Sequence, residues 1–202
     1  NALKAPRDKV LKALSRFGAA PTPHSPLGVR IAIGREFERQ ANVIREPGYQ
    51  KGWFEVQDEA SQLAVMLAGA APGEQILDFC AGAGGKTLAL AAEMDNRGQV
   101  HAFDSDLSGL TGKMDRVLVD APCSGSGVWR RRPDAKWRLS PEALANRITE
   151  QAGVLDQGAA YVRPGGRLVY VTCSLFADEN SRQIEAFLAR APDFAPLSAD
   201  RA

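Results

Sequence analysis

Apolar and polar residues follow a strand pattern and a helix pattern in turn along most of the chain. Short apolar runs bounded by turn residues predict buried strands at residues 75–79, 99–103, 117–119 and 167–171. Apolar residues at helical spacing predict helices at residues 57–70, 86–94, 140 to about 163, and from 178 onward. Ser140 before Pro141 is a typical helix start, and Asp178 is expected to cap the last helix. This alternation predicts an α/β fold with a mainly parallel, doubly wound, Rossmann-like sheet.

The first fifty residues do not share this rhythm. An amphipathic helix is predicted over 6–17 with Gly18 as its C-cap, followed by a proline-rich loop over 20–26 and an alternating strand over 29–33. We therefore predict a small α+β module over 1–51 and a main domain over 52–202. Because the chain begins with Asn1 and not with methionine, we expect the module to be truncated.

One interval is too short for the predicted topology. Only nine residues separate Asp104, at the end of one predicted strand, from Met114, at the start of the next. A crossover between parallel strands needs about a dozen residues or more, usually with a helix. We therefore expect a helix and a further strand to be missing from the sequence near residues 107–113, and a break in the chain there.

Composition narrows the class of protein. With 202 residues, of which 45% are hydrophobic, the chain can bury one good core, and it has no apolar run of the roughly 20 residues that cross a membrane. Its three cysteines have no metal-type spacing, which argues against zinc and against a disulfide framework. We expect a cytoplasmic monomer without a metal.

Charge is distributed unevenly, although the formal net charge is only +1. Residues 1–18 and the basic segment, residues 129–138, each carry five Lys or Arg and one Asp, a local charge of +4. Residues 176–202 carry five acids and three bases, a local charge of −2. Two basic stretches on a nearly neutral chain favour binding of a polyanion by part of the surface.

A glycine-rich turn, residues 78–87, connects a predicted strand to a predicted helix. Its end, Gly85-Lys86-Thr87, matches a P-loop, but Cys80 stands where the first P-loop glycine belongs, and the three-glycine spacing of a dinucleotide fold is absent too. Asp104 lies about 20 residues further on, where an acid can bind a ribose. Taken alone, the pattern fits an adenosine-containing cofactor and a tight structural turn equally well.

Two cysteines follow predicted buried strands. Cys123 comes shortly after 117–119 and Cys173 shortly after 168–171. Because ligands bind at the carboxyl ends of parallel strands, we expect this thiol pair to converge with the carboxylate of Asp120. Thiols favour covalent chemistry on an electron-poor carbon, although a single cysteine after a strand is most often a core residue. Position alone does not rank the two thiols.

Together, these motifs resemble the RNA cytosine-5 methyltransferases of the Sun/Fmu type, which have a class I methyltransferase fold and use S-adenosylmethionine. The resemblance covers most of the chain from Trp53 onward, in the family's order. The residues that carry it are Phe54-Glu55-Val56-Gln57-Asp58-Glu59-Ala60-Ser61, the glycine turn, Asp120-Ala121-Pro122-Cys123-Ser124-Gly125, Arg131-Arg132-Pro133-Asp134, Lys136-Trp137, Thr172-Cys173-Ser174 and Glu179-Asn180.

The resemblance implies a role for each group. Cys173 would add to C6 of a cytosine, Asp120 would hydrogen-bond at N3, and Cys123 would help to release the product. DNA cytosine methyltransferases attack instead with the cysteine of a Pro-Cys pair, here Cys123. The residues implied for cofactor binding are Cys80, Ala81, Gly82, Ala83, Gly84, Gly85, Lys86, Asp104 and Asp120. Those implied for RNA binding, besides the module over 1–51, are Arg130, Arg131, Arg132, Lys136 and Trp137.

The chain departs from the family pattern in the glycine turn. Gly82 and Ala83 stand where the family usually has alanine and proline, so we expect a looser turn. A further aspartate that the family uses for its cofactor falls in the segment that we expect to be missing. The implied substrate is 16S ribosomal RNA. A transfer-RNA cytosine-5 methyltransferase and a non-catalytic RNA-binding assembly factor with the same fold remain alternatives.

Overall fold

The computed structural model describes residues 1–32, 42–102 and 107–197. The chain forms two compact units, of which the first comprises Asn1–Gly73 with Gly82–Gln99 and the second comprises Glu74–Ala81 with Val100–Ala202. The predicted module over 1–51 lies within the first unit, and its boundary stays a prediction. Asp104 and the last residue of the predicted strand over 29–33 lie outside the described residues.

The first unit begins with a helix and a small hairpin. Helix α1 (Arg7–Ala13) is followed by a 3₁₀ turn (Ser15–Phe17), and Gly18 closes it in the left-handed region, as predicted, at φ 69°. Strand β1 (Ala20–Pro21) pairs antiparallel with β2 (Val29–Arg30). The predicted loop over 20–26 is therefore wrong at its start, where two residues pair as a strand.

Three further helices belong to the first unit. They are α2 (Pro47–Gln50), α3 (Glu59–Ala68) and α4 (Gly85–Glu93). The side chain of Asp58 caps α3 by accepting a hydrogen bond from the backbone of Ala60. Near the amino terminus, Val10 and Leu14 are buried in a small core that includes Trp53. This apolar cluster fixes α1 within its unit.

The second unit contains the main sheet. Its strands are β3 (Gln75–Asp78), β4 (Gln99–Ala102), β5 (Met114–Asp120) and β6 (Val162–Val171). They lie in the order β4-β3-β5-β6, and β5 is parallel to both β3 and β6. The predicted α/β fold with a parallel sheet is confirmed. Because β5 is an interior strand, its apolar run is completely buried, with Val117 and Val119 at 0% exposure.

Helices of the second unit are α5 (Pro133–Trp137), α6 (Pro141–Ala159) and α7 (Ser181–Arg190). The hydroxyl of Ser140 accepts a hydrogen bond from the backbone of Ala143, which confirms the predicted start of α6. Leu155 and Gly158 of α6 are buried. Among the described helices, none has the length and apolar composition to span a membrane.

Three predicted boundaries near the carboxyl end are wrong, the first being the end of α6, which is Ala159 and not about residue 163. Strand β6 begins at Val162, not at residue 167, because the ladder shifts register between Met114 and Arg116 and so accommodates Pro164-Gly165-Gly166 within the strand. The last helix begins at Ser181, with Asn180 as its N-cap, and not at Asp178. Asp178 lies in a 3₁₀ turn (Ala177–Glu179) and pairs with Arg182.

The connection before β5 is continuous. Residues 108–110 form a 3₁₀ turn, and the backbone of Gly112 donates to the carbonyl of Ala160 at 2.9 Å. The break expected near residues 107–113 is therefore wrong. The connection runs from β4 past β3 to β5, and no α-helix occurs in it among the residues that the structure describes. The expected loss of a strand and a helix stays a prediction.

Two glycines of α6 should respond to alanine with opposite signs. A Cβ on Gly158 would lie 2.8 Å from a methyl group of Val119, whereas a Cβ on Gly153 meets nothing closer than 3.9 Å. We expect Gly158→Ala to lower the free energy of unfolding by about 1–2 kcal/mol, because overpacking exceeds the gain in helix propensity. Gly153→Ala should raise it by up to about 1 kcal/mol. Urea denaturation measures both, and equal stabilisation would contradict the packing.

Candidate active site

The ends of β5 and β6 bring the two cysteine loops together. Asp120, the last residue of β5, lies opposite Val171, the last residue of β6, and the backbone of Ala121 donates to the carbonyl of Val171 at 2.9 Å. The chain therefore leaves both strands at the same edge of the sheet. The Sγ atoms of Cys123 and Cys173 are 3.3 Å apart, within hydrogen-bond distance.

The two thiols differ in accessibility. Cys173 is exposed, whereas Cys123 is half-buried. The carbonyl of Cys173 accepts a hydrogen bond from the backbone of Gly127 at 2.9 Å, and a Cβ on Gly127 would approach that carbonyl to 2.7 Å. Glycine is therefore required at 127, because a side chain there would displace the backbone of Cys173.

The thiols also differ in acidity. The hydrogen bond from Cys173 is the main cause that lowers the pKa of Cys123 to about 6; burial opposes this effect, and the backbone N–H groups of Gly125 and Cys173 add to it. The pKa of Cys173 is raised, first by its hydrogen bond to Cys123, then by burial and by the negative charges of Cys123 and Asp120. Both shifts favour Cys123 as the thiolate of the pair and Cys173 as its hydrogen-bond donor.

A buried carboxylate connects the two loops. Glu179 has 0% exposure, and its Oε1 accepts hydrogen bonds from the backbone of Ser124 at 2.7 Å and from Nε2 of Gln151 at 2.9 Å. Its Oε2 accepts hydrogen bonds from the hydroxyls of Ser124 and Ser174. Burial raises the pKa of Glu179, but the hydrogen bonds outweigh it and lower the pKa below its ordinary value. The carboxylate is therefore ionised at neutral pH.

Further polar groups support this carboxylate. Gln151 also donates to the carbonyl of Pro122 at 2.9 Å, directly before Cys123. Tyr170 donates its hydroxyl to the backbone carbonyl of Glu179 at 2.9 Å. The amide of Asn180 donates to the carbonyls of Ser174 and Phe176, each at 2.9 Å. The loops around both cysteines are thus held by side chains whose polar atoms point inward.

The glycine turn starts at the end of β3. Cys80 packs against the core of the second unit, and burial, followed by the charges of Asp120 and Asp78, raises its pKa to about 11. Gly82 and Gly84 are in the left-handed region, at φ 54° and 82°, and a Cβ on either would meet nothing within 4 Å. The backbone of the turn is therefore open to a ligand, with no side chain at either glycine to obstruct it.

The basic segment combines charge with aromatic rings. Trp137 is 82% exposed, and Nζ of Lys136 lies 5.6 Å from its ring. Trp129, by contrast, packs edge-on against Phe176 with 6.0 Å between ring centres, and its buried Nε1 has no hydrogen-bond partner among the described residues. Arg130, Arg131 and Arg132 are exposed. Trp137 is thus the more accessible of the two tryptophans.

Some titratable side chains lie outside this arrangement. His101 contacts Oε1 of Gln75 at 3.3 Å, at the other end of β3 from the thiol pair. The described parts of the chain hold no group of three or more His, Cys, Asp or Glu side chains suited to a metal ion. Asp104, the expected ribose acid, lies outside the described residues.

The sequence did not reveal the supporting polar residues. Glu179 was recognised only as part of a motif, and Gln151 and Gln183 lie in helices among apolar residues at helical spacing. Both glutamines are buried, and Nε2 of Gln183 donates to Oε1 of Gln151 at 3.3 Å. The sequence did contain one signal. Gln151 lies at helical spacing from Ile148 and Leu155 on α6, so the spacing predicts it on the face that points toward the core.

One thiol of the pair should titrate near pH 6. Because only the thiolate reacts with iodoacetamide, we expect alkylation of the pair to rise through pH 6 in the native protein. Cys173→Ala removes the donor and should return the pKa of Cys123 toward 9, so that the step moves to higher pH. Cys80→Ala is the control and should keep the step near pH 6. A native profile without any inflection below pH 8 would contradict this electrostatic arrangement.

Comparisons with known proteins give one consistent family. A family model described as 16S rRNA methyltransferase RsmB/F matches residues 106–200. The ribosomal RNA small subunit methyltransferase B of Photorhabdus laumondii is 37% identical over 218 aligned residues, which cover 93% of this chain and 49% of that protein. Its Vibrio cholerae counterpart is 35% identical, over 94% of this chain and 49% of that protein. The chain spans about half the length of these curated relatives.

The alignment with the Photorhabdus laumondii protein is longer than this chain. The alignment has 218 positions but includes 93% of this chain, which is about 188 of its 202 residues. About thirty aligned positions therefore have no residue in this chain. This shortage is of the size expected for a lost strand and helix.

Solved structures share the fold. The structure of PH0851 superposes with a TM-score of 0.86 and 31% identity, covering 97% of this chain and 51% of that one. NSun6 from Pyrococcus horikoshii, solved with SFG, has a TM-score of 0.79, 18% identity and coverage of 93% and 78%. The second shows the fold alone. Because residues 106–200 match the family model and 93% of the chain aligns with the curated relatives, the resemblance to the Sun/Fmu-type RNA methyltransferases is confirmed.

Proposed function

We propose that the protein methylates C5 of a cytosine in RNA, with S-adenosylmethionine as the methyl donor and small-subunit ribosomal RNA as the substrate. The observation that carries the proposal is the contact of two thiols, 3.3 Å apart, where Asp120 ends β5. The substrate is taken from the relatives, which are named ribosomal RNA small subunit methyltransferase B.

The chemistry requires a nucleophile. Cytosine C5 is too weak a nucleophile to attack a methyl sulfonium directly, so a thiolate must first add to C6 and convert the ring into an enamine. In our proposal, Sγ of Cys173 forms the bond to C6 while Asp120 holds a proton at N3, which neutralises the charge that develops there. After methylation, Cys123, having released to water the proton that it took from Cys173, accepts the C5 proton; the C5–C6 double bond re-forms, and the thiolate of Cys173 leaves.

The thiol pair supports two assignments. Cys173 is the more exposed thiol and therefore the one that a flipped-out base reaches more easily. The pKa of Cys123, lowered to about 6, favours Cys123 as the resting thiolate. We assign the attack to Cys173, because transfer of its proton to Cys123 across 3.3 Å produces the required thiolate as the substrate binds. The opposite assignment is tested below.

The glycine turn is the proposed cofactor site. Cys80, Ala81, Gly82, Ala83, Gly84, Gly85 and Lys86 would hold S-adenosylmethionine, together with Asp104 and Asp120, which the family resemblance also implies for the cofactor. The open space beside Gly82 and Gly84 fits a ligand that approaches the backbone closely. When bound, the cofactor supplies an electrophilic methyl group. The Pyrococcus horikoshii NSun6 structure, solved with an analogue of this cofactor, has the same fold.

The basic segment is the proposed RNA contact. Arg130, Arg131, Arg132 and Lys136 carry the positive charge that phosphates need, and Trp137 presents an exposed ring on which a base can stack. Binding through this segment would be salt-dependent, since cations that neutralise phosphates release counterions. The segment follows the Cys123 loop directly in the chain, so a bound RNA would lie close to the thiol pair.

Replacing each cysteine tests the mechanism. We expect Cys173→Ala to abolish transfer of tritiated methyl groups to small-subunit ribosomal RNA, and also covalent trapping by RNA that contains 5-fluorocytosine. Cys123→Ala should keep or accumulate the covalent adduct while turnover falls, because release of the product fails. Thermal melting of both variants serves as the folding control.

Each other outcome has a definite meaning. Methylation by Cys173→Ala at the native rate would overturn the assignment, and loss of trapping only in Cys123→Ala would make Cys123 the nucleophile. Methylation of transfer RNA but not ribosomal RNA would correct the substrate. Cofactor binding without transfer to any RNA would favour a non-catalytic assembly factor.

A further inference from the structure

Glu179 carries a charge in an environment that does not favour one. It is completely buried, and no Lys or Arg in the described ranges forms an ion pair with it. An isolated buried carboxylate is strongly destabilising unless hydrogen bonds compensate. Here neutral donors supply that compensation. The cost of burying this charge raises the question of what purpose its hydrogen bonds serve.

The donors point to that purpose. Ser124 directly follows Cys123, and Ser174 directly follows Cys173. The hydroxyls of both serines donate to the same atom, Oε2 of Glu179, and they lie 3.3 Å from each other. One carboxylate oxygen therefore fixes the separation of the two loops at the positions next to the thiols.

Few other groups could make this connection. An ionised carboxylate only accepts hydrogen bonds and offers about four acceptor sites, which match a backbone N–H, an amide and two hydroxyls. The carboxylate is itself held in place, because Tyr170 of β6 donates to the backbone carbonyl of Glu179. Gln151 links the same carboxylate to the carbonyl of Pro122, before Cys123. The bridge thus runs from β6 to both cysteine loops.

We propose that Glu179 is a positioning residue that holds Cys123 and Cys173 in contact by accepting hydrogen bonds from the serine next to each. Its bearing on catalysis rests on the proposed function, since proton transfer within the pair matters only if one thiol attacks a base. The geometric part does not depend on that function. It concerns the effective concentration of one thiol toward the other.

Thiol–disulfide exchange measures that effective concentration without RNA or cofactor. Oxidised glutathione accepts two electrons and both thiol protons as Cys123 and Cys173 join, and two molecules of reduced glutathione leave. Tryptic peptides 117–130 and 168–182 identify the product when they are joined by a disulfide. We expect Glu179→Leu to lower the effective concentration by about tenfold or more, because the acceptor for both serines is lost.

Two further variants separate bridging from general stability. In Glu179→Gln, the effective concentration should stay within about threefold of the native value, because an amide can still hydrogen-bond both serines. Asp178→Leu is the matched control, since Asp178 lies in the same turn but pairs with Arg182 at the surface, and it should leave the value unchanged. If Glu179→Leu does not fold, Ser174→Ala removes one arm of the bridge and should lower the value severalfold.

The contradicting results are equally specific. A folded Glu179→Leu protein with the native effective concentration, or an equal loss in Asp178→Leu, would overturn the proposal. In the methylation assay, we expect Glu179→Leu to lower kcat while the KM for RNA stays unchanged, because the basic segment is intact. A failed methylation assay with a clear change in disulfide exchange would refute the proposed function and leave the positioning role supported.

Discussion

The parallel pairing of β5 with β6 is the constraint on which the candidate site depends. Asp120 and Val171 end their strands in register, so the loops that carry Cys123 and Cys173 begin side by side. This pairing lies inside the sheet, where water is excluded, and Val117 and Val119 of β5 are completely buried. A shift of this register would separate the thiols, because each residue of slippage moves the chain by about 3.3 Å.

Strand pairing alone does not bring two side chains into contact. The remaining precision comes from polar groups turned inward, with Glu179 accepting hydrogen bonds from both cysteine loops and Gln151 extending the network toward Pro122. Buried networks of this kind are stabilising only when their members are satisfied, and they then hold one geometry firmly. This rigidity leaves Cys173 exposed to a substrate while Cys123 stays half-buried beside it.

The fold and the convergence of the thiols were accessible from the sequence for a simple reason. Apolar periodicity reports which residues are buried, and parallel strands place their carboxyl ends at one edge. What periodicity cannot report is a polar residue that faces inward, so Gln151 and the role of Glu179 were missed. Asp178 resembled a helix cap, but an intervening 3₁₀ turn moved the helix start to Ser181. The ranking of Cys173 over Cys123 came from the family resemblance alone, and the opposite acidities of the two thiols show why position could not supply it.

Mapping the covalent adduct on the native protein decides which thiol attacks. The protein is incubated with S-adenosylmethionine and RNA that contains 5-fluorocytosine, digested with trypsin and examined by mass spectrometry. We expect the modified nucleotide on peptide 168–182, which contains Cys173. A nucleotide on peptide 117–130, which contains Cys123, or the absence of any adduct on either peptide, would contradict the mechanism.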